Sequence, residues 1–397
     1  MATLAMMLML QTGAAVMPPM VQTATALVGK VDAKSGDPDD TIVITAQRPE
    51  ASAAALAACL ARHCSPKEDI AASLTHAENQ FVAGDYQGSR TTLLAARHRN
   101  SKYAAELPVE VSDLHRANAR LASVSGLIDP ARIGSIDAVD ALKKGLSGDD
   151  VRVFAQRLEV GDAMAKEGRL DGALLHYRWV ATKARRAHLP AVEGMALFRS
   201  AVLLSAVASV APRARPDAQR AIERIENNPD PAFAPYRNGV RLMRVRLANA
   251  KDKDIALQKA IAQMEPEDSD QPTLAYAPAI DMQDAVYGAA VGDDTPQWAD
   301  VSFWIAPDGT VKDIDTVRQS DHLNGQWLEV ATRALRQRRY LPLKGAADAP
   351  GVMRVERYLF VSDKQSPTGS RMTFRANKRR VDIVDLTPVA KVQAKSS

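Results

Sequence analysis

The sequence predicts a multidomain protein of the α and α+β classes, in which a body of α-helical hairpin repeats precedes a small domain with the element order β-β-α-β. Three observations lead to this prediction. Aromatic residues make up only 5% of the chain and alanine is abundant through its middle, which favours closely packed helices. Glycines separate apolar stretches of helical spacing in the first 264 residues. From residue 297 onward, apolar residues alternate with the period of a strand.

The charge of the chain is unevenly distributed. Its 397 residues carry a formal net charge of +4, which is too small to indicate a nucleic-acid partner. Residues 297–397 contain 17 Lys and Arg against 11 Asp and Glu, whereas the rest of the chain contains 34 against 36. The basic C-terminal part is expected to be a solvated face, with an acidic partner or a membrane surface as the alternatives.

Residues 1–26 have the pattern of a targeting segment. They are largely apolar and close on the small residues Ala24-Thr25-Ala26, a site suited to signal peptidase. The uninterrupted apolar core Leu4–Leu10 is shorter than the roughly 20 residues of a spanning helix. No Lys or Arg precedes Lys30, so a cleaved signal peptide and an uncleaved N-terminal anchor both stay open. Either interpretation predicts export.

Residues 27–54 are predicted to be an extended linker that contains one strand-like segment. The β-branched residues of this segment favour extended backbone, and Pro49 is expected to end it. An isolated strand needs a sheet edge to pair with. Residues 40–48 also resemble the TonB box of outer-membrane receptors, and the alternative is an edge strand that belongs to this chain's own fold. The TonB-box-like residues are Thr41, Ile42, Val43, Ile44 and Thr45.

The two cysteines, Cys59 and Cys64, allow three interpretations. On a continuous helix they would be separated by a rise of about 7.5 Å, too far for a disulfide. The Ser65-Pro66 pair that follows them favours a helix end near His63, which would permit the bond. We favour the disulfide over buried free thiols. A metal site that includes His63 is disfavoured because no fourth ligand is suitably spaced.

Residues 55–264 are predicted to form the helical body. A helix closes at Gly84 before Asp85-Tyr86, and the same pattern recurs at Gly168 before Arg169-Leu170. The pattern resembles tetratricopeptide repeats, with a third unit opening at Pro190 and a break at residues 227–231. This resemblance implies a concave surface that receives a peptide or a protein.

Residues 265–296 read as a linker, residues 297–388 as the C-terminal domain and residues 389–397 as a disordered tail. The alternating residues Val301, Phe303 and Ile305 predict a first strand, and Pro307-Asp308-Gly309 predicts the turn to a second strand at 310–320. A helix around 327–335, a third strand at 352–361 and a hairpin formed by 372–374 with 381–384 complete the prediction.

The motifs of this domain occur in a specific order. Asp308-Gly309-x-Val311 comes first, then Ser320, Ala334-Leu335, Arg339-Tyr340-x-Pro342 and finally Tyr358-x-Phe360. This series resembles the TonB C-terminal domain, which works in the periplasm of Gram-negative bacteria and binds the TonB box of outer-membrane receptors by strand addition. The resemblance implies a peptide-binding edge on the third strand, formed by Val352, Arg354, Val355, Arg357, Tyr358 and Phe360.

These patterns together predict a non-enzymatic periplasmic adaptor, either free or anchored in the inner membrane. It would bind an extended segment of an outer-membrane receptor or of another envelope protein. An energy transducer of the TonB type is the alternative, but no Pro/Lys-rich linker long enough to cross the periplasm is present. The chain lacks the His-Glu-x-x-His, P-loop, Gly-x-Ser-x-Gly and dinucleotide-binding motifs, so we expect no cofactor and no metal, and an envelope enzyme is disfavoured.

Overall fold

The computed structural model of the protein describes residues 49–248, 253–264, 272–280, 282, 296–323, 325–344, 351–365 and 374–387. Within these ranges a long series of helices precedes two small antiparallel sheets, which confirms the mixed α and α+β class. The predicted targeting segment 1–26, the strand-like residues 41–45 and the tail 389–397 lie outside the described residues.

Eleven α-helices of the described chain come before the main sheet, and neighbouring helices pack against each other through short connections. Their bounds are α1 Pro49–Ala61, α2 Pro66–Ala83, α3 Tyr86–Asn100, α4 Pro108–Val124, α5 Ile128–Gly145, α6 Val151–Lys166, α7 Leu170–Arg186, α8 Pro190–Val210, α9 Arg215–Glu226, α10 Ala234–Leu247 and α11 Lys253–Ala262.

Local sequence signals set the ends of these helices. At the start of α2, Ser65 and Glu68 form a reciprocal capping box. The helix stops at Gly84, whose φ of 90° lies in the left-handed region. Asp85 then caps α3 by accepting a hydrogen bond of 2.8 Å from the Gly88 N–H. The predicted glycine punctuation therefore corresponds to a real helix end followed by a real helix start.

The second punctuated pair, α6 and α7, is built in the same way. Gly168 between the two helices has a φ of 81°. Gly161 on α6 faces the Tyr177 ring on α7, and a Cβ added at this glycine would lie 2.5 Å from Cε1 of the ring. The absence of a side chain at Gly161 thus permits the close approach of the two helices.

Two predicted boundaries are wrong. The helical body begins at Pro49 rather than at residue 55, because this proline occupies the first turn of α1 instead of ending a strand. Residues 265–296 are not simply a linker, because Leu274–Tyr276 forms strand β1. Ile280 and Met282, which follow β1, are buried in the core of the C-terminal sheet.

The described C-terminal region contains one four-stranded sheet and one two-stranded sheet. Its elements are β2 Gln297–Ile305, β3 Val311–Gln319, α12 Gly325–Arg336, β4 Arg339–Tyr340, β5 Val352–Gln365 and β6 Phe374–Asp385. The larger sheet is antiparallel throughout and has the order β3-β2-β5-β6, while β1 pairs with β4. Helix α12 covers one face of the larger sheet, and Trp327 of this helix is 1% exposed.

The first two strands, the helix and the third strand of the predicted domain lie where the sequence placed them. The predicted hairpin of 372–374 with 381–384 is wrong: residues 374–385 are one continuous strand, and its partner is β5. Residues 372 and 373 lie outside the described part of the chain.

Helix α8 is the one described helix that is long and apolar enough to cross a membrane. Its apolar window is 67% buried inside the protein, and Phe198, Ala201 and Leu203 are at most 2% exposed. This burial is typical of a central core helix that is hydrophobic on all sides.

The larger sheet is docked on the helical body by its second face, and we call this contact the sheet–helix interface. Trp298, Leu359 and Val361 from the sheet share one apolar cluster with Phe81 and Tyr86 from the α2–α3 hairpin. The Trp298 ring lies so close to Gly84 that a Cβ there would be 2.7 Å from Cζ2. The helical body and the sheet are therefore parts of one packed core.

Arg357 on β5 is the polar centre of this interface. Its guanidinium donates to both carboxylate oxygens of Asp300, at 2.6 and 2.9 Å, and both side chains are fully buried. It also donates to the carbonyl oxygens of Phe81 and Val82 at 2.6 and 2.8 Å. Since these carbonyls belong to the last turn of α2, the cation lies at the negative end of the helix dipole. Arg318 on β3 adds a bond of 2.6 Å to Asp300.

A second helix end meets the sheet on the β6 side. Arg380 donates a hydrogen bond of 2.8 Å to the carbonyl of Ser123 in the last turn of α4. The Lys364 N–H donates at 2.7 Å to the carbonyl of Gly126. Arginine side chains of the sheet therefore bind the C-terminal ends of two helices, which fixes the orientation of the sheet.

Candidate peptide-binding edge

The strand predicted to be the binding edge lies inside the sheet. Residues 352–360 of β5 pair with β2 along their whole length. Residues 356–365 pair on the other side with β6, and the Leu386 N–H extends this contact by donating at 2.8 Å to the Val355 carbonyl. The predicted edge on β5 is therefore wrong from Val355 onward, because the chain's own last strand occupies it.

The side chains of the predicted edge confirm this correction. Tyr358 and Val355 are 0% and 1% exposed, and Arg357 is committed to the sheet–helix interface. Phe360 stacks on Trp327 with ring centroids 5.7 Å apart. Arg354 pairs with Asp385 on β6 at 3.1 Å, and Val352 lies opposite Ile305 on β2. These six residues build the sheet and its core.

The other predicted site residues have different outcomes. Thr41, Ile42, Val43, Ile44 and Thr45 lie outside the described residues. Cys59 and Cys64 form a disulfide with their Cα atoms 5.2 Å apart. Helix α1 ends at Ala61, and His63 has a φ of 51°. The chain therefore turns back before Cys64 and brings the two sulfurs together.

Two strands remain as outer strands of the described sheet. Strand β3 is a poor template for another strand, because its register with β2 shifts at two places and Asp313 has a φ of 48°. Its exposed side chains include Lys312 and Asp315. Bulges and charges of this kind are the usual protection of an edge against pairing.

Strand β6 is regular over its C-terminal half, although its register with β5 shifts once between Ser362 and Lys364. From Arg380 to Asp385 its register with β5 runs through six consecutive pairs without a shift. Hydrogen-bonded and non-hydrogen-bonded pairs alternate along an antiparallel ladder, and the Leu386 N–H donates to β5. The main-chain groups of 380, 382 and 384 therefore face β5. Those of Val381, Ile383 and Asp385 point away from β5, and no strand of the described chain pairs with them.

The side chains of β6 hold this edge in place. Val381 is 1% exposed and Ile383 is partly buried against the core beneath α12. On the opposite face, Arg380 pairs with Asp382 at 3.0 Å and also with the buried Asp363. Val384 packs against the apolar cluster of the sheet–helix interface. The C-terminal half of β6 is thus held by apolar packing on one face and by ion pairs on the other.

A buried polar cluster supports β5 behind this edge. Arg338 binds both carboxylate oxygens of Glu356 at 2.9 Å and donates to the Tyr358 hydroxyl at 3.2 Å. Burial raises the pKa of Tyr340 to about 12 and also raises the pKa of Tyr358 well above its ordinary range. Both phenols stay protonated near neutral pH, and Tyr358 donates a hydrogen bond of 2.8 Å to Glu356, so these hydrogen bonds stabilise the sheet.

Two features were not predicted from the sequence: the position of β6 as an outer strand of the described sheet, and the ion pair of Arg357 with Asp300. The alternation of Val381 and Ile383 was a usable signal for a strand, but nothing local assigns its partner. Comparisons with protein families, with curated proteins and with solved structures found no match to this chain.

Proposed function

We propose that this protein is a periplasmic adaptor of the cell envelope that binds an extended segment of a partner protein by strand addition along the outer side of β6. The guest strand would form main-chain hydrogen bonds with Val381, Ile383 and Asp385. Its alternate side chains would pack beside Val381 and Ile383, so β-branched and other apolar residues suit these positions.

The observation that carries the proposal is the contrast between the two outer strands. Strand β3 shifts its register at two places and exposes charges, whereas β6 keeps one register with β5 from Arg380 to Asp385 and carries Val381 and Ile383 on its apolar face. A regular edge beside apolar side chains favours association unless something covers it. The resemblance to the TonB C-terminal domain supports the same mode of binding, with an outer-membrane receptor or another envelope protein as the partner.

The helical body extends this proposal. Its hairpins resemble tetratricopeptide repeats, which serve as scaffolds for protein binding, and the sheet is anchored on its α2–α3 and α4 ends. We assign the body to the recruitment of a second protein. An adaptor requires neither a cofactor nor a catalytic residue.

The test uses a proline on the outward side of β6. Ile383→Pro removes an outward N–H while leaving the hydrogen bonds between β5 and β6 intact. The matched control is Thr316→Pro on the other outer strand, where Thr316 opposes Val301. The probe is a fluorescein-labelled synthetic peptide that spans residues 39–48, and its binding to each full-length variant is measured by fluorescence anisotropy.

We expect Ile383→Pro to weaken peptide binding at least about tenfold, because one hydrogen bond is lost and the ring obstructs the next strand. Thr316→Pro should bind like the unmodified protein. Equal binding by all three proteins would contradict strand addition at β6. A loss of peptide binding in Thr316→Pro alone would instead indicate that the guest strand binds at β3.

A further inference from the structure

An open cleft of about 700 Å³ lies at the end of α2 that is remote from the sheet. The α1–α2 turn and the end of α3 line it, with His63, Cys64, His98, Arg99, Lys102 and Tyr103 among the lining residues. Because α2 has 18 residues, it places about 27 Å between this cleft and the sheet–helix interface. The cleft is independent of the β6 edge, and its volume is typical of small-molecule sites.

The one carboxylate in the wall of the cleft is already neutralised. Asp69 accepts hydrogen bonds from Arg99 at 2.7 and 2.8 Å, from Asn100 at 2.7 Å and from Ser73 at 2.9 Å. Burial opposes the charged form of Asp69, but these donors outweigh it and lower its pKa below the ordinary value. The negative charge of this residue is therefore not available to a ligand.

Apart from Ser65 and Asn100, the remaining polar side chains of the cleft are cations or imidazoles. His63, His98 and Lys102 are exposed, and the Lys102 ammonium lies 5.0 Å from the centre of the Tyr103 ring. The start of α2 beside Pro66 is already capped by Ser65 and Glu68 and contributes no free positive end. Leu60 and Tyr103 contribute apolar surface to the same wall.

The disulfide fixes the turn that forms one wall of this cleft. Cys64 lies in its wall, and the bond to Cys59 fixes the turn in which His63 has a left-handed backbone. Ser65 then starts α2 with a complete capping box. The backbone of the turn that carries His63 is thus fixed before any ligand enters, which reduces the entropic cost of binding.

We propose that this cleft binds an organic anion, in which an apolar group carries a carboxylate or a phosphate. The anionic group lies beside Lys102 and His98, and the apolar group lies against Leu60 and Tyr103. Reduction of the disulfide loosens the α1–α2 turn and weakens this binding.

The experiment uses anilinonaphthalene sulfonate, an aromatic anion whose fluorescence rises on binding, with the full-length protein. Lys102→Glu reverses the charge in the cleft, and Lys144→Glu reverses an equally exposed lysine on α5. Competition with benzoate and with inorganic phosphate separates the contribution of the apolar group from that of the charge. A reduced sample measures the contribution of the disulfide.

We expect a saturable signal whose dissociation constant rises about tenfold in Lys102→Glu and in the reduced protein and is unchanged in Lys144→Glu. Benzoate should displace the probe at lower concentration than phosphate. The proposal is overturned if no saturable signal occurs, or if both charge reversals behave alike. Displacement by phosphate that is as effective as displacement by benzoate would overturn the organic nature of the ligand.

Discussion

Replacing Arg357 by alanine perturbs the sheet–helix interface at the residue that makes most of its polar contacts. The substitution removes two hydrogen bonds to Asp300 and the donors to the carbonyl oxygens of Phe81 and Val82. It also removes the guanidinium that stacks on the Trp298 ring at 4.0 Å. These groups belong to β2, β5 and the end of α2, so the loss acts on the contact between the sheet and the helices.

The expected loss of unfolding free energy follows from these contacts. Removing one partner of a buried ion pair costs about 3–5 kcal/mol. Arg318 remains on Asp300 at 2.6 Å and reduces this cost, whereas each carbonyl left without its donor adds about 1 kcal/mol or more. We therefore expect Arg357→Ala to destabilise the protein by about 4 kcal/mol.

The control is Arg354→Ala on the same strand. The side chain of its ion-pair partner, Asp385, is 45% exposed, so solvent screens the pair and the loss should stay below about 1 kcal/mol. The assay is urea unfolding followed by tryptophan fluorescence, because Trp298 lies at the interface. A loss below about 1 kcal/mol for Arg357→Ala, or equal losses in the two variants, would refute the central role of Arg357.

Three further predictions concern α2 and its ends. Gly84→Ala should cost about 2–3 kcal/mol in urea unfolding, because φ is 90° and the new Cβ would contact Trp298; a loss below ~0.5 kcal/mol would contradict this packing. Burial raises the pKa of Glu78 from 4.5 to about 7, so its contribution to stability is complete at low pH and falls as the pH rises between these values. In Glu78→Gln this pH-dependent decrease in unfolding free energy, on the order of 1–2 kcal/mol, should be absent. A stability–pH profile identical to that of the unmodified protein would contradict the prediction. Replacing Cys59 and Cys64 by alanine should lower the unfolding free energy by about 2 kcal/mol in urea unfolding, compared with the oxidised protein. Equal stability of the two proteins would exclude a stabilising role of the disulfide.

The elements of the C-terminal domain could be predicted because their signals are local. Val301, Phe303 and Ile305 alternate in the sequence and are 0% exposed in the structure. Gly309 has a φ of 79°, the conformation expected of the glycine in the predicted turn. Turn chemistry and strand period depend on neighbouring residues alone, so a single sequence contains them.

The pairing of β5 could not be predicted in this way, because it depends on contacts between distant residues. Arg357 resembles an exposed cation on an edge strand when it is read in the sequence. Its hydrogen-bond partners Phe81 and Val82 are 276 and 275 residues away. The residue pattern of 352–361 contains no information on the helix end that this guanidinium contacts. It also does not indicate that residues 374–385 pair with this strand.

The same long-range contacts bear on the proposed binding edge. A guest strand gains affinity only if the edge is ordered before it arrives, since ordering main chain costs about 1–2 kcal/mol per residue. In β6 this ordering is supplied from both faces: Val381 packs in the core under α12, while Arg380 is tied to the end of α4 through Ser123. Arg380→Ala should therefore weaken peptide binding although its side chain lies on the face turned toward the helices. If the Arg380→Ala protein binds the peptide with unchanged affinity, docking of the sheet is irrelevant to the edge, and the two halves of the molecule act independently.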